Sequence, residues 1–243
     1  MMMRVVLFGA NGQMGRVLHE LWKERRPGDT LTLIDQDLPN GTLADTEGAD
    51  VLVDFSHASS LPDLLAYGER TRTPLVIATT GHDKEGERAI EAASQTVPIF
   101  HTANLSYGIF ALRALTSEAA RILGDGVDVE ILERHHNRKQ DAPSGTALVL
   151  LEALGEVRST DPTVYGRHGD TLRTTGEIGI HAIRGGSITG EHTVLFALDG
   201  ETLELTHRAE SKRLYALGAL KAAEFVMKRD PGLYGMDNLI NEA

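Results

Sequence analysis

Residues 133–148 read ERHHNRKQDAPSGTAL. His135 and His136 are adjacent, Lys139 follows three residues later, and Pro143-Ser144-Gly145-Thr146 opens onto an apolar run. Imidazole is the side chain that most readily gives and takes protons near neutral pH. Ser144 is a good N-cap for a helix through TALVLLEALG that stops at Gly155. The free backbone N–H groups of such a helix start bind carboxylate or phosphate, and Lys139 adds a full positive charge nearby. The stretch therefore has the makings of a carboxylate pocket with proton donors beside it. No metal site is expected. Neighbouring His side chains in an extended chain point to opposite faces, and no further ligand stands at a recognised spacing. A serine nucleophile at 144 is poorly supported, because PSGT lacks the small-x-Ser-x-Gly elbow and no His–acid relay can be assigned.

Elements must hold these groups in place, and the first half of the chain supplies an α/β pattern. RVVLF (4–8) is a short apolar run that enters GANGQMG, with glycines at 9, 12 and 15. RVLHELWKER follows with Val17, Leu18, Leu21 and Trp22 at helical spacing. Strand, glycine turn and helix make a phosphate-binding turn: Gly9 for the tight turn, Gly12 for close backbone approach, Gly15 for packing of helix on strand. A second strand, LTLID (31–35), ends in Asp35, where a ribose-binding carboxylate belongs. DVLVDFS (50–56), PLVIATTG (74–81) and VPIFHTANLS (97–106) continue as strands with helical stretches between them. Alternation of this kind gives a parallel sheet whose carboxyl ends face the ligand. A carboxylate at 35 accepts from both ribose hydroxyls of NAD and repels a 2′-phosphate, and Gln36 offers no arginine to receive one. NADH is favoured, and NADPH stays possible because His57 could meet a phosphate.

The second half is organised differently. GIFALRALTSEAARILG (108–124) is helical, with an apolar face expected at Ile109, Leu112, Leu115, Ala119, Ile122 and Leu123. VDVEILE (127–133) alternates as a strand with one buried face and leads into the histidines. GEIGIHAIRGG (176–186), GEHTVLFAL (190–198) and ETLELTHRA (201–209) read as an antiparallel meander. Its open sheet would be a natural oligomer face. A helix over 213–229 closes the pattern. Residues 1–105 with 213–243 are expected to form a dinucleotide-binding domain, and 106–212 an inserted α+β domain for substrate and oligomerisation. His101, His181, His192 and His207 read as structural or surface residues; Arg184 faces either the pocket or solvent.

Composition is that of a globular protein. The 243 residues are 41% hydrophobic and 24% charged, with a net charge of −11 and no cysteine. The acidic balance argues against nucleic acid or an anionic membrane as partner. The missing cysteines exclude disulfides and thiol catalysis and fit a cytoplasmic protein. The apolar stretch in MMMRVVLFGANG is too short for a signal peptide, and no run approaches the ~18 residues of a membrane helix.

Taken in order, GANGQMG, ATTG, TANLSYG, ERHHNRKQDAPSGTA and GEHTVLF resemble the 4-hydroxy-tetrahydrodipicolinate reductase (dihydrodipicolinate reductase) family over essentially the whole chain. The HHxxKxDAPSGTA pattern is highly specific, whereas the glycine turn alone is not. The resemblance implies a Rossmann-like domain, a central domain whose sheets build a homotetramer, and hydride transfer from NAD(P)H to C4 of a cyclic dicarboxylate with loss of water. It implies His135 as general acid, Lys139 as proton donor and carboxylate contact, and His136, Ser144, Gly145 and Thr146 as substrate contacts. For the cofactor it implies Gly9, Ala10, Asn11, Gly12, Gln13, Met14, Asp35, Phe55, Ala78, Thr79, Thr80, Thr102, Ala103, Asn104 and Leu105. The pathway would be the diaminopimelate route to lysine. The alternative is an NADH-binding sensor or scaffold of the same fold without reductase activity. Two positions depart from the family pattern. Ala78 stands where the family usually has Gly. Lys212 stands where it commonly has Arg, and lysine cannot copy a bidentate fork.

Overall fold

The computed structural model describes residues 2–35, 37, 38 and 42–241. In chain order its elements are β1 (Arg4–Phe8), α1 (Gln13–Arg25), β2 (Thr30–Ile34), β3 (Val51–Asp54), α2 (Leu61–Thr71), β4 (Leu75–Ile77), α3 (Lys84–Ser94), β5 (Pro98–His101), α4 (Tyr107–Leu123), β6 (Asp128–His135), α5 (Gly145–Gly155), β7 (Thr163–Tyr165), β8 (Ile178–Arg184), β9 (Glu191–Ala197), β10 (Thr202–Arg208), α6 (Arg213–Val226), β11 (Gly232–Tyr234) and α7 (Met236–Ile240). They divide into two compact units, Met1–Leu105 with Lys212–Ala243, and Ser106–Ser211.

In the first unit the described strands form one parallel sheet in the order β11-β5-β4-β3-β1-β2. Parallel strands covered on both faces need continuous apolar sequence, and β3 and β4 are buried at every residue. Val6, Phe8, Leu52, Leu75, Ile77 and Ile99 share a core with Leu61, Leu64 and Leu65 of α2 and Ile90 of α3. Each such side chain removed from water contributes about 1.5–3 kcal/mol. Helix α6 packs on β3, β4, β5 and α1. Its small residues allow that approach: a Cβ at Gly218 would lie 2.0 Å from the Leu105 carbonyl oxygen. Chain order reverses at β1, which has β2 on one side and β3 on the other. This is the switch point where such sheets open a crevice beyond their carboxyl ends.

In the second unit the sheet order is β10-β9-β6-β8-β7. The expected antiparallel meander is only half present. Strands β9 and β10 pair antiparallel, but β6 lies between β8 and β9, running parallel to β8 and antiparallel to β9. Alternation in sequence says which side chains share a face, not which strands are neighbours. The chain leaves β8 through Gly185 and Gly186, whose backbone bonds to His135 O and Asn137 N carry it across the end of β6. One face of this sheet is covered by α4 and α5: Val129, Ile131, Ile178, Ile180, Val194 and Phe196 pack with Ile109, Leu112, Ala147, Leu150 and Leu154.

Helix α4 corrects a second expectation. Leu115 and Ile122 are 56% and 73% exposed, whereas Ile109, Leu112, Thr116 and Ala120 are buried. A row kept at steps of three drifts around the helix, and only alternation of three and four stays on one face. The strands β7 and β11, of three residues each, were not read from the sequence because that length carries no periodicity. Among the described residues no helix is long and apolar enough to cross a membrane.

Candidate active site

Strand β6 alternates between exposed or half-buried residues and buried ones, and the buried row is Val129, Ile131, Glu133, His135. Two apolar residues thus give way, on the same face, to a carboxylate that is 0% exposed and an imidazole that is 9% exposed. An ionisable group on a buried face needs partners, and Glu133 has four contacts from three residues. Arg184 at the end of β8 donates to both of its oxygens, Nη1 to Oε2 and Nη2 to Oε1, each at 2.7 Å. His135 Nδ1 lies 2.6 Å from Oε2, and the Ser144 backbone N–H donates to Oε1 at 3.0 Å. Burial works to raise the Glu133 carboxyl, but these donors outweigh it and hold the group below the usual carboxylate range.

His135 is set by the balance of its surroundings. Burial lowers its pKa most, the Glu133 contact opposes that, and the charges of Lys139 and Arg184 add to the lowering. Its ring meets that of His192 edge to face, with centroids 5.1 Å apart. His192 lies on the same sheet face in β9, and its Nε2 is 3.0 Å from Ser144 Oγ. Burial, followed by the neighbouring His135 charge, pushes it down to about 4. Ser144 caps α5, its Oγ accepting from Ala147 N at 3.3 Å. Its hydroxyl and its N–H are therefore both engaged within the protein. Gly145 and Thr146 begin the helix; Gly145 is exposed, and a side chain there would meet nothing within 4 Å. His136 follows β6 half-buried, with Nδ1 unpartnered among the described residues. Lys139 forms an ion pair with Asp141 at 2.8 Å, and the ammonium lowers that carboxyl. A pair with one well-exposed partner is worth little, so Lys139 can exchange Asp141 for another anion at small cost.

The glycine turn of the first unit has the geometry its spacing implies. Gly9 has φ +79°, and a Cβ there would fall 2.4 Å from the Phe55 carbonyl oxygen. At Gly15 it would fall 2.1 Å from the Gly9 oxygen. Helix α1 starts behind Gly12 with no side-chain cap and no acid in its first turn, which leaves its end open to an anion. Asp35 Oδ2 accepts from Asn11 N at 2.9 Å and so ties the end of β2 to the turn. A cleft of about 550 Å³ lies at the switch point, lined by Phe8, Gly9, Asn11, Gly12, Asp35, Asp37, Phe55, Ser56 and His57 among others. Of the expected cofactor residues, Gly9, Asn11, Gly12, Asp35 and Phe55 line it. Ala10 is buried under the turn, and Gln13 and Met14 begin α1. Ala78, Thr79 and Thr80 follow β4, and Thr102, Ala103, Asn104 and Leu105 follow β5, at the same carboxyl edge of the sheet. Lys212 reaches the turn from the start of α6, its Nζ donating to Gln13 Oε1. Gln36 lies outside the described residues.

The sequence reading missed Glu133, the part played by Arg184, and His192. Glu133 did carry a signal, since it stands two residues before His135 on a strand and must share its face. Arg184 and His192 carried none locally. The cradle formed by Gly9, Gly15 and the uncapped α1 fits a dinucleotide, and both units match known proteins accordingly. Residues 3–105 match the family model for the dihydrodipicolinate reductase N-terminus, and residues 108–240 match that for its C-terminus. The chain is 43% identical over 251 residues to 4-hydroxy-tetrahydrodipicolinate reductase of Caldanaerobacter subterraneus subsp. tengcongensis, covering all of both proteins. It is 41% identical to that of Clostridium tetani over 99% of this chain and 98% of the relative. Among solved structures, dipicolinate-bound dihydrodipicolinate reductase from Paenisporosarcina sp. TG-14 shares the fold, with TM-score 0.75 and 22% identity over 98% of this chain and 99% of that one. With both units matched and relatives aligned end to end, the chain belongs to the dihydrodipicolinate reductase family.

Proposed function

We propose that this chain reduces 4-hydroxy-tetrahydrodipicolinate to tetrahydrodipicolinate with NAD(P)H and loss of water, in the diaminopimelate route to lysine. The observation that carries the reading is an imidazole, His135, beside an ammonium and the N-terminus of α5, in a chain whose other unit holds a dinucleotide turn. The first unit serves as the dinucleotide-binding domain. The second binds substrate and supplies, through its sheet, the contacts of a homotetramer that works in the cytoplasm.

The chemistry divides between the two units. Bound on the glycine turn, the nicotinamide cofactor supplies hydride to C4 of the substrate ring. Gly9 to Met14 hold its pyrophosphate on the α1 N-terminus, and Asp35 takes the ribose. Phe55 with 78–80 and 102–105 forms the carboxyl-edge wall. In the second unit Gly145 and Thr146 at the start of α5 hold one substrate carboxylate, and Lys139, released from Asp141, meets a carboxylate too. His136 contacts the substrate. His135 acts as general acid and delivers the proton that the reduction consumes. Ser144 contributes by fixing the helix start, since its own hydrogen-bonding groups are engaged.

NADH is the preferred donor. Asp35 and Asp37 both line the cleft, and two carboxylates there disfavour a further phosphate dianion. The test is cofactor oxidation followed by nicotinamide absorbance, with substrate formed in situ from pyruvate and aspartate semialdehyde by the preceding synthase. Substrate-dependent oxidation, faster with NADH than with NADPH, is expected. No oxidation by protein that binds NADH would remove the substrate assignment, and a faster rate with NADPH would remove the reading of Asp35 and Asp37.

A further inference from the structure

Glu133 occupies a place where an apolar residue would serve packing better. It continues the row of Val129 and Ile131 on the covered face of β6 and is fully buried. Buried ion pairs contribute little to stability compared with apolar residues of similar volume, so the Arg184–Glu133 pair calls for a different explanation. Its geometry supplies one. Arg184 engages both carboxylate oxygens at 2.7 Å, and Ser144 N engages Oε1. This leaves one directed acceptor position on Oε2, which His135 Nδ1 fills at 2.6 Å. An ionised carboxylate only accepts, so the contact requires the proton on Nδ1. The neutral ring then has its lone pair on Nε2.

The other side of the imidazole is kept clear by an independent feature. Gly190 has no left-handed backbone that would demand glycine, yet a Cβ there would lie 3.2 Å from His135 Nε2 and 3.4 Å from its Cδ2. Among the described residues no hydrogen bond to Nε2 is found. One nitrogen is thus clamped inward and the other is left open.

We propose that Glu133, itself locked by Arg184, is a positioning residue that sets the tautomer of His135 and makes Nε2 the atom that takes up and delivers the proton. This deepens the reductase reading and rests on it for the proton's destination, but the tautomer stands apart from any substrate. The groups facing His135 are Glu133 on its own strand, Arg184 on β8, His192 on β9 and Lys139 on the following turn. Glu133 carries the one negative charge among them, so removing it makes protonation of His135 harder.

The test combines histidine nitrogen-15 NMR of the full-length protein with steady-state kinetics. In the unaltered protein the neutral His135 ring, assigned by its loss in His135→Asn, should show a protonated Nδ1 and an unprotonated Nε2. Glu133→Gln should turn an amide N–H toward Nδ1 and reverse that pattern. It should lower kcat by roughly a hundredfold to ten-thousandfold, the scale for a misoriented acid–base histidine. It should also move the alkaline fall of the rate to lower pH, and leave NADH binding unchanged. Glu133→Asp, which keeps the charge, should keep the tautomer and recover part of the rate. The opposite tautomer in the unaltered protein would overturn the proposal even if no variant folded. So would Glu133→Gln with an unchanged rate and pH profile. Absence of turnover in the unaltered protein would count against the reductase reading, while the NMR result would still decide the tautomer.

Discussion

His192 offers a test of the buried polar row that needs no substrate. Its imidazole titrates near 4 in the folded protein, against 6.5 for the free side chain, chiefly because of burial. Between those values the unfolded chain binds a proton that the folded chain refuses. Stability therefore falls as the pH drops from about 6.5 toward about 4, and it is constant above that window as far as this group is concerned. At about 1.4 kcal/mol per pH unit, the whole interval is worth about 3 kcal/mol, of which about 2 kcal/mol is lost by pH 5. His192→Gln removes the titration while keeping an amide group, able to donate or accept, where Nε2 meets Ser144 Oγ. Circular dichroism melts of both proteins at neutral pH and at pH 5 isolate the effect, since every other titrating group is common to the two. The variant should gain on the parent by about 2 kcal/mol between the two pH values, a relative rise of roughly 4–8 °C in Tm. Parallel loss of stability in both proteins would refute the argument, and with it the claim that His192 is held neutral.

Two further outcomes follow from packing. Gly15→Ala drives a methyl to 2.1 Å from the Gly9 carbonyl oxygen, so the turn must distort. NADH binding should be lost and stability should fall by at least about 2 kcal/mol, both readable in a cofactor titration and a denaturant melt. Leu112→Ala should cost about 2–5 kcal/mol, whereas Leu115→Ala on the exposed face of α4 should stay within about 0.5 kcal/mol. Equal costs in urea unfolding would mean that the helix buries a different face.

What the sequence made legible was local. The strand RVVLF, the glycine turn and α1 could be placed because a period and a set of turn residues lie within a few positions of one another. The same is true of His135, Lys139 and the Ser144 cap. What escaped depends on partners distant in the chain. Arg184 meets Glu133 across 51 residues, and His192 meets Ser144 across 48. Neither contact leaves a mark on its own segment. The position of β6 between β8 and β9 escaped for the same reason, since each strand's alternation is satisfied by either neighbour. Glu133 escaped in a more instructive way. A charge on a strand is ordinarily taken to face water, and only the row Val129, Ile131, Glu133, His135 places it inside.

The single tryptophan of the chain sits in α1, fully buried, with its indole Nε1 donating to Asp29 Oδ2 at 3.0 Å. Because the unit built from Ser106–Ser211 contains tyrosines but no tryptophan, emission excited selectively at the indole is a private channel for the other unit. A reduced nicotinamide held on the glycine turn, as proposed above, would accept energy from the indole of the helix that opens there. On that reading Trp22 is an optical probe of nucleotide occupancy, and a comparison of its emission with circular dichroism will tell whether the two units unfold as one.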